Sequence, residues 1–277
     1  MKFTKMQGCG NDYVYVNCFS ETVVHPEELA KKIADRHYGV GGDGLILIEP
    51  SDKADAFMHM FNLDGSEGNM CGNGIRCVAK YIYDHGMIPA DRTETTIETR
   101  SGLKNIKLYT KDGKMEQATV DMGVAVLTSS LPENITVHGM SLSFIGIDVG
   151  NPHAVYFLQD NPQLHVSKVS DLDFSLYGKD FETHPRFPEK VNSEFIEILS
   201  RNEINFRVYE RGSGETLACG TGATAAVAAG NMAGYLDPEV LVHLVGGDLK
   251  IKYDETSGHA YMTGPAVSVF TGDFPES

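Results

Sequence analysis

Short apolar runs punctuated by glycine and charge recur along the chain, and they predict strands. Ile106-Lys107-Leu108-Tyr109 and Leu249-Lys250-Ile251-Lys252-Tyr253 alternate strictly, as half-buried strands do. Phe195-Ile196-Glu197-Ile198-Leu199 and Ala56-Phe57-Met58-His59-Met60-Phe61 are rich in β-branched and aromatic residues, and Leu45-Ile46-Leu47-Ile48 is apolar without a break. Helical periodicity is scarcer. Pro26 to Arg36 carries proline and acid in its first turn and is followed by Gly39, which predicts a surface helix. Ile75 to His85 stops at Gly86 and places Ile75, Val78, Ala79 and Ile82 on one face. Ala223 to Gly234 contains no charged residue, and its alanines and Val227 surround it on every side. A helix apolar all round is buried, and this one is too short to cross a membrane, so a sheet is expected to wrap it.

Similar segments lie at the heads of the last two helices: Met70-Cys71-Gly72-Asn73-Gly74 and Ala218-Cys219-Gly220-Thr221-Gly222. Their cysteines are 148 residues apart, and the Gly-Ser pairs upstream, Gly65-Ser66 and Gly212-Ser213, are 147 apart. Gly10-Asn11 before Val14-Tyr15-Val16 has a counterpart 140 residues on, in Gly150-Asn151 before Val155-Tyr156-Phe157. Similarity at about half the chain length predicts two alike halves rather than a solenoid. The expected fold is α+β, each half a mixed or antiparallel sheet around a central helix with a cysteine at its N-terminus. The halves are expected at 1–118, with 265–277 returning to it, and 119–264.

The chain has 277 residues, 42% hydrophobic and 22% charged, an ordinary globular composition. A net charge of −15 argues against nucleic acid and anionic membranes as partners. Met1-Lys2-Phe3-Thr4-Lys5 opens into polar sequence and no apolar run reaches spanning length, so a cytoplasmic protein is expected. Five cysteines, an odd number, read as thiols, with Cys9, Cys18 and Cys77 expected to be small buried hydrophobes. The histidines lack i, i+4 spacing and no CxxC occurs, so no metal is expected. Gly220-Thr221-Gly222-Ala223-Thr224-Ala225 fits a dinucleotide fingerprint but follows a polar, glycine-rich segment instead of a hydrophobic strand. Gly41-Gly42-Asp43-Gly44 lacks the lysine of a P-loop and reads as a turn.

Paired cysteines at helix N-termini suit reversible proton transfer. A helix start offers unpaired N–H groups and the positive end of its dipole, which favours thiolate. The flanking glycines admit a ligand close to the backbone, and the amides of Gly72, Asn73, Gly220 and Thr221 could hold a carboxylate. Removing an α-hydrogen builds charge onto that carboxylate, which preorganised donors stabilise without a cofactor. One thiolate would abstract while the other thiol donates, as a racemase or epimerase requires. A thiol redox protein would place its cysteines close together, and a non-catalytic amino acid-binding module would not need both.

Gly10-Asn11-Asp12-Tyr13, Phe61-Asn62-Leu63-Asp64-Gly65-Ser66, Asn69-Met70-Cys71-Gly72-Asn73-Gly74, Gly150-Asn151-Pro152-His153, Val191-Asn192, Tyr209-Glu210-Arg211-Gly212 and Ala218-Cys219-Gly220-Thr221-Gly222 together resemble diaminopimelate epimerase across essentially the full length. Proline and hydroxyproline racemases, the alternative, resemble the chain less well, since they place histidine where it has Asn73. The resemblance implies cofactor-free interconversion of LL- and meso-diaminopimelate, in lysine and cell-wall precursor biosynthesis, with Cys71 and Cys219 as acid and base. It implies that the amides at Gly72-Asn73 and Gly220-Thr221 bind the carboxylate at the reacting centre. Asn11, Asn62, Asn151, Asn192, Glu210 and Arg211 would hold the substrate, and His153 and Glu210 would modulate the thiols. Many members have glutamine, a substrate contact, where this chain has Gly44, so that role is not carried over. Phe270 stands where some members have a tyrosine linked to dimer contact, and homodimerisation is allowed for. A two-base enzyme should lose net epimerisation in either Cys71→Ala or Cys219→Ala, assayed from both diastereomers; near-native turnover in either variant would refute the assignment.

Overall fold

The computed structural model describes residues 1–275. The chain divides into two compact units, Met1–Asp121 with the stretch from Thr263 onward, and Met122–Met262. The first unit contains β1 (Lys2–Gly8), β2 (Asn11–Asn17), α1 (Pro26–Ile33), β3 (Gly44–Glu49), β4 (Ala56–Asn62), β5 (Glu67–Gly68), α2 (Gly72–Asp84), β6 (Glu94–Thr99), β7 (Gly102–Lys111) and most of β8 (Lys114–Val124), which runs on into the second. There follow β9 (Val126–Leu127), β10 (Glu133–Val137), β11 (Met140–Asp148), β12 (Pro152–Phe157), α3 (Phe174–Glu182), β13 (Asn192–Ser200), β14 (Glu203–Glu210), β15 (Gly214–Glu215), α4 (Gly220–Met232), β16 (Glu239–Leu244), β17 (Gly247–Tyr253) and β18 (His259–Pro265). Finally β19 (Val267–Asp273) pairs antiparallel with β1.

The internal repeat is a repeat of topology. In the first unit β1, β2, β3, β4, β6 and β7 are joined in turn by antiparallel, parallel, antiparallel, parallel and antiparallel pairings. In the second, β11, β12, β13, β14, β16 and β17 follow the same sequence of pairings. Each parallel step needs a crossover, and helices supply them: α1 and α2 in one unit, α3 and α4 in the other. The central helix α2 packs against β1, β2, β4, β6, β7 and β19, and α4 against β11, β12, β13, β16 and β17. This is the expected α+β fold with a sheet around a central helix.

Burial on both faces explains the unbroken run in β3. Leu45 and Leu47 point into a cluster with Val14, Val16, Phe61 and the α1 residues Ala30 and Ile33. Ile46 and Ile48 are equally buried on the opposite side, where Ile46 meets the first turn of α2. The second unit is built the same way. Ala154, Tyr156 and Phe195 face the α3 residues Phe174 and Phe181, while Glu194 and Phe157 face α4.

Helix boundaries depart from the pattern in instructive places. The first helix ends at Ile33, not Arg36, because the Asp35 carboxylate accepts from the N–H groups of His37 and Tyr38, both at 2.7 Å, and turns the chain. Helix α3, capped by Asp173 Oδ1 accepting from Ser175 N at 3.0 Å, was not expected, since Gly178 interrupts its periodicity. That glycine lies against the Tyr209 ring, which leaves no room for a side chain. The two central helices begin three residues before their apolar pattern does, so the cysteine motifs are themselves the first turns.

Phe195 sits at the centre of an aromatic cluster, with ring centroids 5.0, 5.1 and 5.2 Å from Tyr156, Phe181 and Phe174. Phe195→Ala should destabilise the fold by about 3–5 kcal/mol and Phe195→Leu by clearly less. Denaturant unfolding of the two variants checks the order, and equal losses would show that the cavity is not the cause.

Candidate active site

In the first unit Cys71 is the N-cap of α2. Its backbone is extended, at φ −131° and ψ 117°, and its sulfur accepts from Gly74 N at 3.3 Å. The thiol donates to Asn11 Oδ1 at 3.2 Å, while Asn11 Nδ2 donates to Asp43 Oδ2 at 2.6 Å. A carboxylate only accepts, so Asp43 dictates which end of the Asn11 amide faces the sulfur. Asp43 in turn accepts from Asp12 N at 3.1 Å and pairs with Arg36 at 3.0 Å. Arg36 also reaches Asp12 at 2.7 Å, and Lys5 reaches it at 2.5 Å. Burial works to raise the Asp12 carboxyl, yet Arg36 and Lys5 hold it below the usual range.

Behind the first turn of α2 lies the fully buried Arg76. It donates to Gly72 O and Pro265 O, each at 3.1 Å, and to Asn73 Oδ1 at 2.9 Å. The Asn73 side chain thus turns inward, and its backbone remains as the group at the helix start. Asn62 closes β4 and donates to Ser66 Oγ at 3.0 Å across the turn into β5.

In the second unit Cys219 caps α4, accepting from Gly222 N at 3.4 Å with the Thr221 hydroxyl also at 3.4 Å. The expected lowering by the helix end is outweighed. Burial first, then the Glu210 and Glu194 carboxylates, push this thiol well above its ordinary range. His153 is fully buried, with Nδ1 2.6 Å from Glu194 Oε1 and Nε2 2.9 Å from Asn151 Oδ1. Asn192 is buried too; Nδ2 donates to Pro152 O at 2.9 Å, and Oδ1 accepts from Arg211 N at 2.9 Å. It therefore fixes the backbone from which the exposed Arg211 side chain projects. Gly212 N donates to Glu182 Oε1 at 3.0 Å, and Glu210 accepts from the Thr216 hydroxyl.

Each unit thus gathers its own expected residues around its capping cysteine: Asn11, Gly72 and Asn73 about Cys71, and Glu210, Gly220 and Thr221 about Cys219. The His153–Asn151 pair reaches the latter group through Glu194. Of the other cysteines, Cys9 and Cys77 are buried, whereas Cys18 is only half-buried. Asp43, Arg76 and Glu194 escaped sequence reasoning. Asp43 lies in a glycine-rich stretch that reads as a turn, and Arg76 within an apolar helix pattern. Glu194 adjoins the run Phe195–Leu199, where a charge reads as the solvent face of a strand.

The backbone arrangement defines the class of protein. A probable proline racemase from Agrobacterium radiobacter K84 superposes with a TM-score of 0.76, covering 100% of this chain and 93% of its own at 16% identity. A PhzF-family phenazine biosynthesis protein from Bacillus anthracis gives 0.72, covering 100% and 99% at 16% identity. At such identities the likeness is one of fold. Sequence is more specific, because the diaminopimelate epimerase family model matches residues 3–128 and 145–269. Diaminopimelate epimerases of Agathobacter rectalis and Methanococcus maripaludis strain S2 are 47% and 44% identical, each over 99% of both chains. The chain belongs to the diaminopimelate epimerase family.

Asp43→Ala should release the Asn11 amide and lower kcat/KM by about ten- to a hundredfold, the scale of one charge-assisted hydrogen bond. A double-mutant cycle with Asn11→Ala measures it, and fully additive losses would show that Asp43 does not act through Asn11.

Proposed function

We propose that the protein interconverts LL- and meso-diaminopimelate by a two-base mechanism in which Cys71 and Cys219 exchange the roles of acid and base. The observation that carries this reading is the duplicated cap: a cysteine sulfur accepting the third helical N–H, at matching places in two units of one topology. Family membership supplies the substrate class. The carboxylate on the reacting carbon would be held by the amides at Gly72-Asn73 and Gly220-Thr221, where charge built up by proton abstraction meets fixed donors.

The distal amino acid end would be gripped by Asn11, Asn62, Asn151, Asn192, Glu210 and Arg211. Arg211 offers a planar two-point fork to a carboxylate, and Glu210 an acceptor for ammonium. Projection of Arg211 from a backbone pinned by Asn192 supports that role. His153 would act on the second thiol through the Glu194 carboxylate to which it is bonded. Five free thiols support a reducing, cytoplasmic location. Exposed Val267, Val269 and Phe270 along β19 support a homodimer. Among the described residues no helix is long and apolar enough to cross a membrane.

The deciding experiment is ¹H NMR of diaminopimelate in D₂O: catalysed loss of the α-proton signal is expected, and its persistence would overturn the reading. Arg211→Lys keeps the charge but loses the fork, so kcat/KM should fall by about ten- to a hundredfold. Unchanged steady-state kinetics would remove Arg211 from the site.

A further inference from the structure

The repeat allows the surroundings of the two cysteines to be compared position by position. In the parallel pairs of the two units, Tyr13 stands opposite Gly44 and His153 opposite Asn192. Two residues further along, Ile46 of β3 therefore matches Glu194 of β13. Both lie under the third residue after the following cysteine, Gly74 in one unit and Gly222 in the other. A Cβ on Gly74 would come within 2.8 Å of Ile46 Cδ1, and one on Gly222 within 2.8 Å of Glu194 Oε1 and 3.2 Å of Cys219 Sγ. The same position beneath the same helix turn is thus filled by a hydrocarbon in one unit and a carboxylate in the other. The first turn of α2 holds a buried cation, Arg76, where α4 has Thr224, each donating to the carbonyl of the residue after its cysteine, at 3.1 and 2.8 Å.

We propose that Glu194 is a positioning residue for the second thiol: its buried carboxylate, bonded to His153 and seated under the first turn of α4, holds Cys219 protonated and so makes it the resting proton donor. The proposal rests on the two-base reading above. Burying a carboxylate without compensation is costly. Here His153 Nδ1 at 2.6 Å and the adjacent helix start offset part of that cost, while burial still pushes the Glu194 carboxyl up. Glu194 Oε2 has no hydrogen-bond partner and stays buried, so its field is little screened by water.

The groups that face Cys219 are Glu210 from β14, Glu194 from β13, and the Thr221 hydroxyl and Gly222 N–H from α4. The carboxylates and burial favour thiol; the two donors favour thiolate. Glu210 belongs to the expected substrate anchor, whereas Glu194 faces the helix from the core, between the His153 ring and the cap. At the other end of the same ring, His153 Nε2 lies 2.9 Å from Asn151 Oδ1, which only accepts, so the ring is held in place from both sides.

The test needs no substrate and therefore fails independently of the catalytic reading. The intact protein is alkylated with iodoacetamide across a pH series, and modification at Cys71 and Cys219 is followed separately by peptide mass spectrometry. In the native protein, half-maximal reactivity of Cys219 should lie above the ordinary thiol range of about 8.5. Glu194→Gln keeps the shape and removes the charge. It should raise Cys219 alkylation at neutral pH by roughly three- to tenfold and leave the Cys71 profile in place. Glu194→Ile, which copies the first unit, should act in the same direction and serves if the glutamine variant does not fold. A Cys219 profile unmoved by either substitution, a native value at or below the ordinary range, or equal acceleration of both cysteines would overturn the proposal.

Discussion

Both units depend on one contact, in which a cysteine sulfur replaces the usual hydroxyl or carboxylate oxygen as acceptor for the third N–H of a helix. Serine, threonine, asparagine and aspartate make this bond in most helices, and sulfur makes it more weakly. The bond lengths, 3.3 and 3.4 Å, reflect the larger radius of sulfur. Burial of the helix offsets it: α4 is enclosed by its sheet along nearly its whole length, so tertiary packing rather than capping sets where it stands. The sulfur is then free to spend its lone pairs and proton on chemistry.

Close packing beneath the caps has a second consequence. Ile46 and Glu194 press against Gly74 and Gly222 from the sheet side, which brings a core residue to the foot of each cysteine motif. The character of that residue reaches the thiol directly. A helix end alone would make both thiols more acidic. At Cys219, burial and two carboxylates reverse the sign.

Much of the fold was legible because the repeat fixes matching places and the strands carry clear periodicity. The chargeless stretch after Cys219 announced a buried helix, and the fully apolar run at Leu45–Ile48 is a strand covered on both faces. What escaped was polar chemistry hidden in apolar pattern. Glu194 occupies an inward position that hydropathy assigns to a hydrophobe, and only the parallel register with β12 shows His153 within reach. Asp43 looked like turn chemistry because its partner, Asn11, lies on another strand. Gly178 hid α3 because the ring that explains it, Tyr209, is more than thirty residues away.

Two alike units need not supply two alike thiols. Interconverting true enantiomers would pair mirror-image half-reactions of equal energy, and matched environments would serve them. LL- and meso-diaminopimelate are diastereomers that share an unreacting distal centre, so no symmetry relates the two directions. The proposed anchor for that centre is unequal between the units: Asn11 and Asn62 come from the first and Asn151, Asn192, Glu210 and Arg211 from the second, and the first has Gly44 at the place of Asn192 in the repeat. With no symmetry between the two directions, the two caps need not rest on the same side chain. Ile46 against Glu194 and Arg76 against Thr224 are where the duplicated framework has taken that freedom.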